Sequence, residues 1–317
     1  MQNTGLTIGR QKYYCRPETY FSHSEAQDMD KQQTGKTVRL LMPQWQGGNM
    51  GASYPMGAKL LAWLAPESDA TQLEVPVERF ADTPPPLEDG IVGRTAIMKQ
   101  LRAARNLLDA YDPDRVITFG GDCLVSQAPF AWLNERYDGR LGVLWIDAHP
   151  DVTTPKDFRH AHAMVLGNLL GEGDPGLTAE VRRPLDPKLV MFAGVDDMLD
   201  YEWEVANRLA LRRASSSDLA ADSNPVLQWV RDNNIKHVAI HLDLDVLDPR
   251  CFRSQMFNMP TGEKINAFSG KMTLDQITRL VTDVAAQTSV VGFTFAEHMP
   301  WDDINLMNMM DAFPFMK

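Results

Sequence analysis

Two short acidic clusters stand out as groups that could do chemistry together. The segment LGVLWIDAHPD closes an apolar run with Asp147, His149 and Asp151, and HVAIHLDLDVLDP closes another with Asp243 and Asp245. The i, i+2, i+4 spacing turns Asp147, His149 and Asp151 to one side if the backbone stays extended, and Asp243 and Asp245 repeat the device. Asp248 and Pro249 then end the second run. An aspartate alone at a strand end is an ordinary turn former. Two such clusters, each closing an apolar run, are harder to explain that way, because carboxylates converging in a dry place repel and resist desolvation unless a cation neutralises them. Four aspartate charges balance two divalent cations. Hard oxygen ligands with one or two imidazoles suit a Mn²⁺-like ion better than a thiolate-selecting one.

The elements that would hold these groups follow a regular rhythm. Apolar runs at Val38–Trp45, RVITFGG, LGVLWIDAH, LVMFAGV, HVAIHLDLDV and VVGFTFAE read as strands. Between them, Ile91 to Tyr111 spaces Ile97, Leu101, Ala104 and Leu108 as a helical stripe, and His162 to Leu170, Pro225 to Asn233 and Leu274 to Ala286 also read as helices. Near-continuous apolar strands separated by helices predict an α/β fold, with a parallel sheet covered on both faces. Ligands of such a sheet bind beyond the carboxyl ends of its strands, where the acidic clusters fall. Cys123, after RVITF and the pair Gly120 and Gly121, and Glu297, after VVGFTFA, should border the same cleft. Residues 1–36 are polar and without period, and are expected to form an N-terminal arm, with 37–317 as one catalytic domain.

Composition narrows the function classes. With 44% hydrophobic and 23% charged residues the chain can bury a sizeable core. A net charge of −11 disfavours nucleic-acid binding, which rests on clustered Lys and Arg, and suits a small cationic substrate. The three cysteines, Cys15, Cys123 and Cys251, have no paired spacing, so neither a disulfide framework nor a zinc knuckle is expected. No GxGxxG follows a strand, which argues against a dinucleotide site. Without a continuous apolar stretch near the N-terminus or a membrane-spanning run, a cytoplasmic location is expected.

Four ordered motifs, GGDC (Gly120 to Cys123), DAHPD (Asp147 to Asp151), HLDLDVLDP (His241 to Pro249) and AEHMP (Ala296 to Pro300), resemble those of the ureohydrolase family of arginase, agmatinase and formiminoglutamase. The resemblance runs from about Val38 onward. It implies a three-layer α/β/α fold, two Mn²⁺ per chain, a homotrimer or homohexamer, and hydrolysis of a guanidino or amidino C–N bond in a small molecule. By position it implies Asp147 and Asp243 as bridging ligands, Asp151 and Cys123 on one metal, and His149 and Asp245 on the other. It further implies Glu297 as the guanidinium-binding carboxylate, His162 as the proton-shuttling histidine with His160 second, and Thr153 and Asp197 beside the substrate.

Two departures matter. Cys123 stands where the family normally has His, so a neutral ligand becomes a thiol that must ionise to bind well. Leu199 occupies the position where arginine-specific members carry an Asp for the substrate's α-amino group, which turns the expectation away from L-arginine itself. A catalytically silent relative, keeping the fold for assembly or metabolite sensing, is the competing expectation.

Overall fold

A computed structural model of the chain describes residues 35–79, 83–262 and 265–311. Of the expected N-terminal arm, all but its last two residues lie outside this range. Ten strands occur among the described residues: β1 (Thr37–Met42), β2 (Thr71–Glu74), β3 (Leu87–Glu88), β4 (Ile91–Val92), β5 (Arg115–Gly120), β6 (Leu141–Ile146), β7 (Val190–Ala193), β8 (Arg212–Ala214), β9 (His237–Asp243) and β10 (Ser289–Ala296). Eight of them form one sheet in the order β2-β1-β5-β10-β9-β6-β7-β8, and β3 and β4 form a separate hairpin. Every pairing in the large sheet is parallel.

The strands are apolar on both faces because both faces are covered. On one side Val143, Trp145 and Phe192 pack with Ile97, Leu101, Ala104 and Leu108 of the helix Arg94–Tyr111 and with Phe130 and Leu133 of Gln127–Arg136. On the other, Leu144, Ile146, Ile240 and Leu242 pack with Leu227 and Val230 of Asn224–Asp232 and with Ile277, Leu280 and Val284 of Leu274–Gln287. This is the expected three-layer α/β/α arrangement. Each long amphipathic helix buries its i, i+3, i+4 stripe, at about 1.5–3 kcal/mol per large side chain. No helix among the described residues is long and apolar enough to cross a membrane.

The strand order explains where a site can form. β5 and β6 follow one another in sequence, yet β10 and β9 lie between them in the sheet. The connections therefore diverge at this point and leave a crevice beyond the carboxyl ends of these four strands. Several elements have no counterpart in the sequence reading: the helices Ser53–Leu64, Gln127–Arg136, Asp200–Arg208 and Trp301–Asp311, and the short strands β2, β3, β4 and β8. The segment expected as a helix from His162 is a 3₁₀ turn, Ala161–Met164, followed by a short helix, Val165–Leu170.

Candidate metal centre and cleft

Four adjacent strands deliver the acidic groups to one place. β5 leads to Asp122 and Cys123, β6 to Asp147, His149 and Asp151, β9 ends in Asp243 and continues to Asp245, and β10 leads to Glu297. A cavity of about 490 Å³ opens there, with Cys123, His149, Asp151, Asp243, Asp245 and Glu297 in its lining. Asp147, fully buried, lies beside this floor without facing the cavity. Its Oδ1 accepts from the His149 backbone N–H at 2.7 Å and its Oδ2 from Trp145 Nε1 at 3.0 Å.

The backbone does more here than continue the strands. β6 ends at Ile146, and Asp151 has φ of 50°, so a turn replaces the extended i, i+2, i+4 run expected from sequence. Glu297 likewise has φ of 62°, held by its N–H donating to Gly121 O at 2.7 Å. A carboxylate-bearing residue in the left-handed region is strained, and such strain persists where the surroundings over-determine it. Gly121 is required for close approach rather than for its angles, since a Cβ there would sit 1.7 Å from Gln44 O.

Around the floor, His149 Nδ1 lies 3.2 Å from Asp245 Oδ2 and 3.6 Å from Asp147 Oδ1. Cys123 Sγ donates to Asp243 Oδ2 at 2.8 Å and lies 3.6 Å from Glu297 Oε1. His162 Nδ1 is 3.3 Å from the same Glu297 Oε1, and Tyr54 donates its hydroxyl to Glu297 Oε2. Of the other sequence-derived candidates, Thr153 lines the cavity but donates its hydroxyl to Ala163 O at 2.9 Å, and His160 lines it too. Asp197 is exposed, outside the cavity lining, with Oδ1 accepting from Met198 N, while Glu202 borders the cavity instead.

Electrostatically the floor is under stress. Burial, with repulsion from neighbouring carboxylates, pushes Asp151 and Asp243 well above the usual carboxylate range. Asp245 is also raised by burial, although His149 partly offsets this. For Asp147 burial is outweighed by the imidazoles of His149 and His241, which hold it low. Burial opposes the charged form of His149, but Asp245 and Asp147 raise it well above the ordinary imidazole value. The Cys123 thiol is pushed far up by burial and then by Asp243, and Asp122 is pushed up to about 7 by burial and Glu297. Burial and Glu297 keep Tyr54 protonated as a donor.

Several ligand-type atoms in this cluster are buried with no hydrogen-bond partner: Asp151 Oδ2, Asp245 Oδ1, His149 Nε2 and His241 Nε2. Buried polar atoms are normally satisfied, and leaving one unmade costs about 1–3 kcal/mol. The donor atoms of Asp147, His149 and Asp245 lie within 4.8 Å of one another, as do those of Cys123, Asp147, Asp151 and His241. The residues present therefore fit divalent cations, which would supply the missing partners.

A family model described as the arginase family matches residues 50–309. The chain belongs to the arginase family. Among relatives of that family, an arginase of Entamoeba histolytica is 25% identical over 160 residues, covering 48% of this chain and 54% of the relative. An arginase of Bacillus caldovelox is 28% identical over 150 residues, covering 42% of this chain and 47% of that one. The matched stretch thus spans about half the length of these curated relatives. The solved Entamoeba histolytica arginase in complex with L-ornithine superposes with a TM-score of 0.69 at 18% identity, over 83% of this chain and 90% of that one. The proclavaminate amidino hydrolase of Streptomyces clavuligerus gives 0.59 at 17% identity, over 84% of each chain. These likenesses show that the arginase fold is shared.

A pH dependence follows from the raised carboxyls. Their unfolded value is about 4, so the stability they contribute to the metal-free chain is fully present below that pH and is lost as pH rises through their raised folded values. A cation held by these groups would remove the repulsion and would also require His149 without its extra proton. The rise in Tm on adding Mn²⁺ should therefore grow from about pH 5 to about pH 8. Differential scanning calorimetry at matched ionic strength reads it. A rise that shrinks over that interval contradicts the assignment.

Proposed function

We propose that this arginase-family chain hydrolyses a guanidino or amidino C–N bond at a pair of divalent cations, and that its substrate is not L-arginine. The observation that carries the reading is the delivery of buried, partly unpartnered carboxylate and imidazole groups by four adjacent strands to the floor of one cavity. Asp147, Asp151, Asp243, Asp245, His149 and Cys123 would hold the cations. Cations held there would supply a hydroxide nucleophile near neutral pH and Lewis-acid stabilisation of developing negative charge.

The protein's own groups do the rest. Glu297, fixed by Tyr54 and by its left-handed backbone, accepts hydrogen bonds from the planar cationic end of the substrate and sets it against the floor. His162 Nδ1 lies 3.3 Å from Glu297 Oε1, and burial opposed by that carboxylate leaves it above the ordinary imidazole value. It can therefore carry a proton near neutral pH and pass it to the departing amine. Met50, Phe158, Met256, Met259 and Phe268 line the cavity as well, so part of its wall is apolar. Those side chains suit a substrate with an apolar tail. Leu199 lines the cavity and Asp197 lies outside it, so neither position offers a carboxylate to an α-amino group.

The test is Glu297→Gln. Losing one charge-assisted hydrogen bond of about 2 kcal/mol should raise KM for a guanidino substrate about thirtyfold while metal content stays unchanged. Equal turnover and KM in the variant would remove Glu297 from the site. One observation favours a second reading, a catalytically silent metabolite sensor with a weakened cation site: the Cys123 thiol donates to Asp243 and so occupies a lone pair that a cation would use. Under that reading substrates bind and no product forms.

A further inference from the structure

His241 opens the HLDLDVLDP motif; it lies two residues before Asp243 in β9 and so points to the same side of the sheet. It pairs in register with Trp145 of β6, and the two rings stack at 3.8 Å and 10°. The ring is wholly buried. Its Nδ1 is 2.8 Å from Ser126 Oγ, while Nε2 has no hydrogen-bond partner and stands 3.6 Å from Asp147 Oδ2, beyond hydrogen-bond reach. An apolar side chain would fill this space without leaving a polar atom unmet. Ser126 can accept from Nδ1–H, which leaves the Nε2 lone pair facing the floor.

We propose that His241 is a metal ligand. Its Nε2, Cys123 Sγ and one oxygen each of Asp147 and Asp151 form a four-donor site for one of the two cations. The four donor atoms lie within 4.8 Å of one another. Ligands about 2.0–2.3 Å from a common ion can be no further apart than roughly this. A nitrogen, a sulfur and two oxygens suit a borderline ion such as Zn²⁺ or Co²⁺ better than Mn²⁺. The second cation keeps the harder set around His149 and Asp245. The inference rests on the reading of the acidic floor as a cation site, and it makes the two cation positions chemically unequal.

The experiment loads the full chain with Co²⁺ and compares it with His241→Asn, Cys123→Ser and Ser126→Ala, with the Tm of each metal-free protein as the folding control. X-ray absorption of the wild type should show two imidazoles shared over two cobalt ions, and His241→Asn should lose one. That variant should also weaken one of the two sites about a hundredfold and lower the Zn²⁺-over-Mn²⁺ preference at least about tenfold. Cys123→Ser should lose the thiolate-to-cobalt charge-transfer band and keep both imidazoles. If His241→Asn does not fold, Ser126→Ala, which frees the Nδ1 proton, should weaken the same site about tenfold. Two bound cobalt ions with an unchanged imidazole count and unchanged affinities in the His241 and Ser126 variants overturn this inference and leave the hydrolase reading standing. A wild type that binds no divalent cation overturns both.

Discussion

Asp243→Asn should lower kcat/KM by about a thousandfold, an effect of about 4 kcal/mol, and should at the same time make the metal-free chain more stable. Both effects have one cause. Asp243 is buried against Asp245, Asp147 and Glu297, so without a cation its charge is a liability that a bound cation would offset. Asparagine keeps the Oδ1 acceptor that receives the Asp245 N–H at 2.7 Å, and it places an amide near Cys123 Sγ, so the fold loses little. Relief of the repulsion should raise the Tm of the chelated protein by roughly 5 °C. Mn²⁺ should stabilise the variant far less than the wild type. A variant that is inactive and also less stable without metal would show that Asp243 acts as a structural hydrogen-bond acceptor, not as a cation ligand.

Cys123→His is the second large effect, and its sign is a gain. The thiol must lose a proton against burial and Asp243, whereas an imidazole binds as a neutral ligand. Cys123 faces the cavity, so the larger ring has space to enter. Mn²⁺ affinity should rise about tenfold or more, on the scale of changes at ligating residues, and hydrolysis should increase or appear where the wild type shows little. The preference for Zn²⁺ over Mn²⁺ should fall with loss of the sulfur donor. Titration calorimetry showing identical stoichiometry, affinity and selectivity in the two proteins would mean that Cys123 is not a ligand.

What could be read from the sequence was whatever local periodicity encodes. The acidic ends of β6 and β9 follow apolar runs whose burial on both faces allows little else, so their place in the crevice was legible. His241 and Trp145 were within reach of the same rule, since each sits two residues before a floor aspartate on its own strand. Tyr54 was not. It lies 243 residues from Glu297, on a helix whose Pro55 and Gly57 obscure its pattern, and Gly57 is there because a Cβ would collide with His298 O. The left-handed turns at Asp151 and Glu297 are set by long-range contacts, including Gly121 O on a different strand's loop, and no local pattern announces them. The apolar wall gathers residues from segments without period, such as Met256 and Phe268, which only the fold brings together.

On this reading the floor holds cations in order to hydrolyse a planar C–N centre. The most direct measurement is metal content per full-length chain after loading with Mn²⁺ or Co²⁺, followed by urea and ammonia release from guanidino and amidino compounds with apolar, amine and amino-acid tails. Two cations per chain and product from a member with an apolar tail are expected, with L-arginine a poor substrate. Two cations with no product from any member would contradict the hydrolase reading and favour the sensor, and a chain that retains no divalent cation would contradict the account at its base.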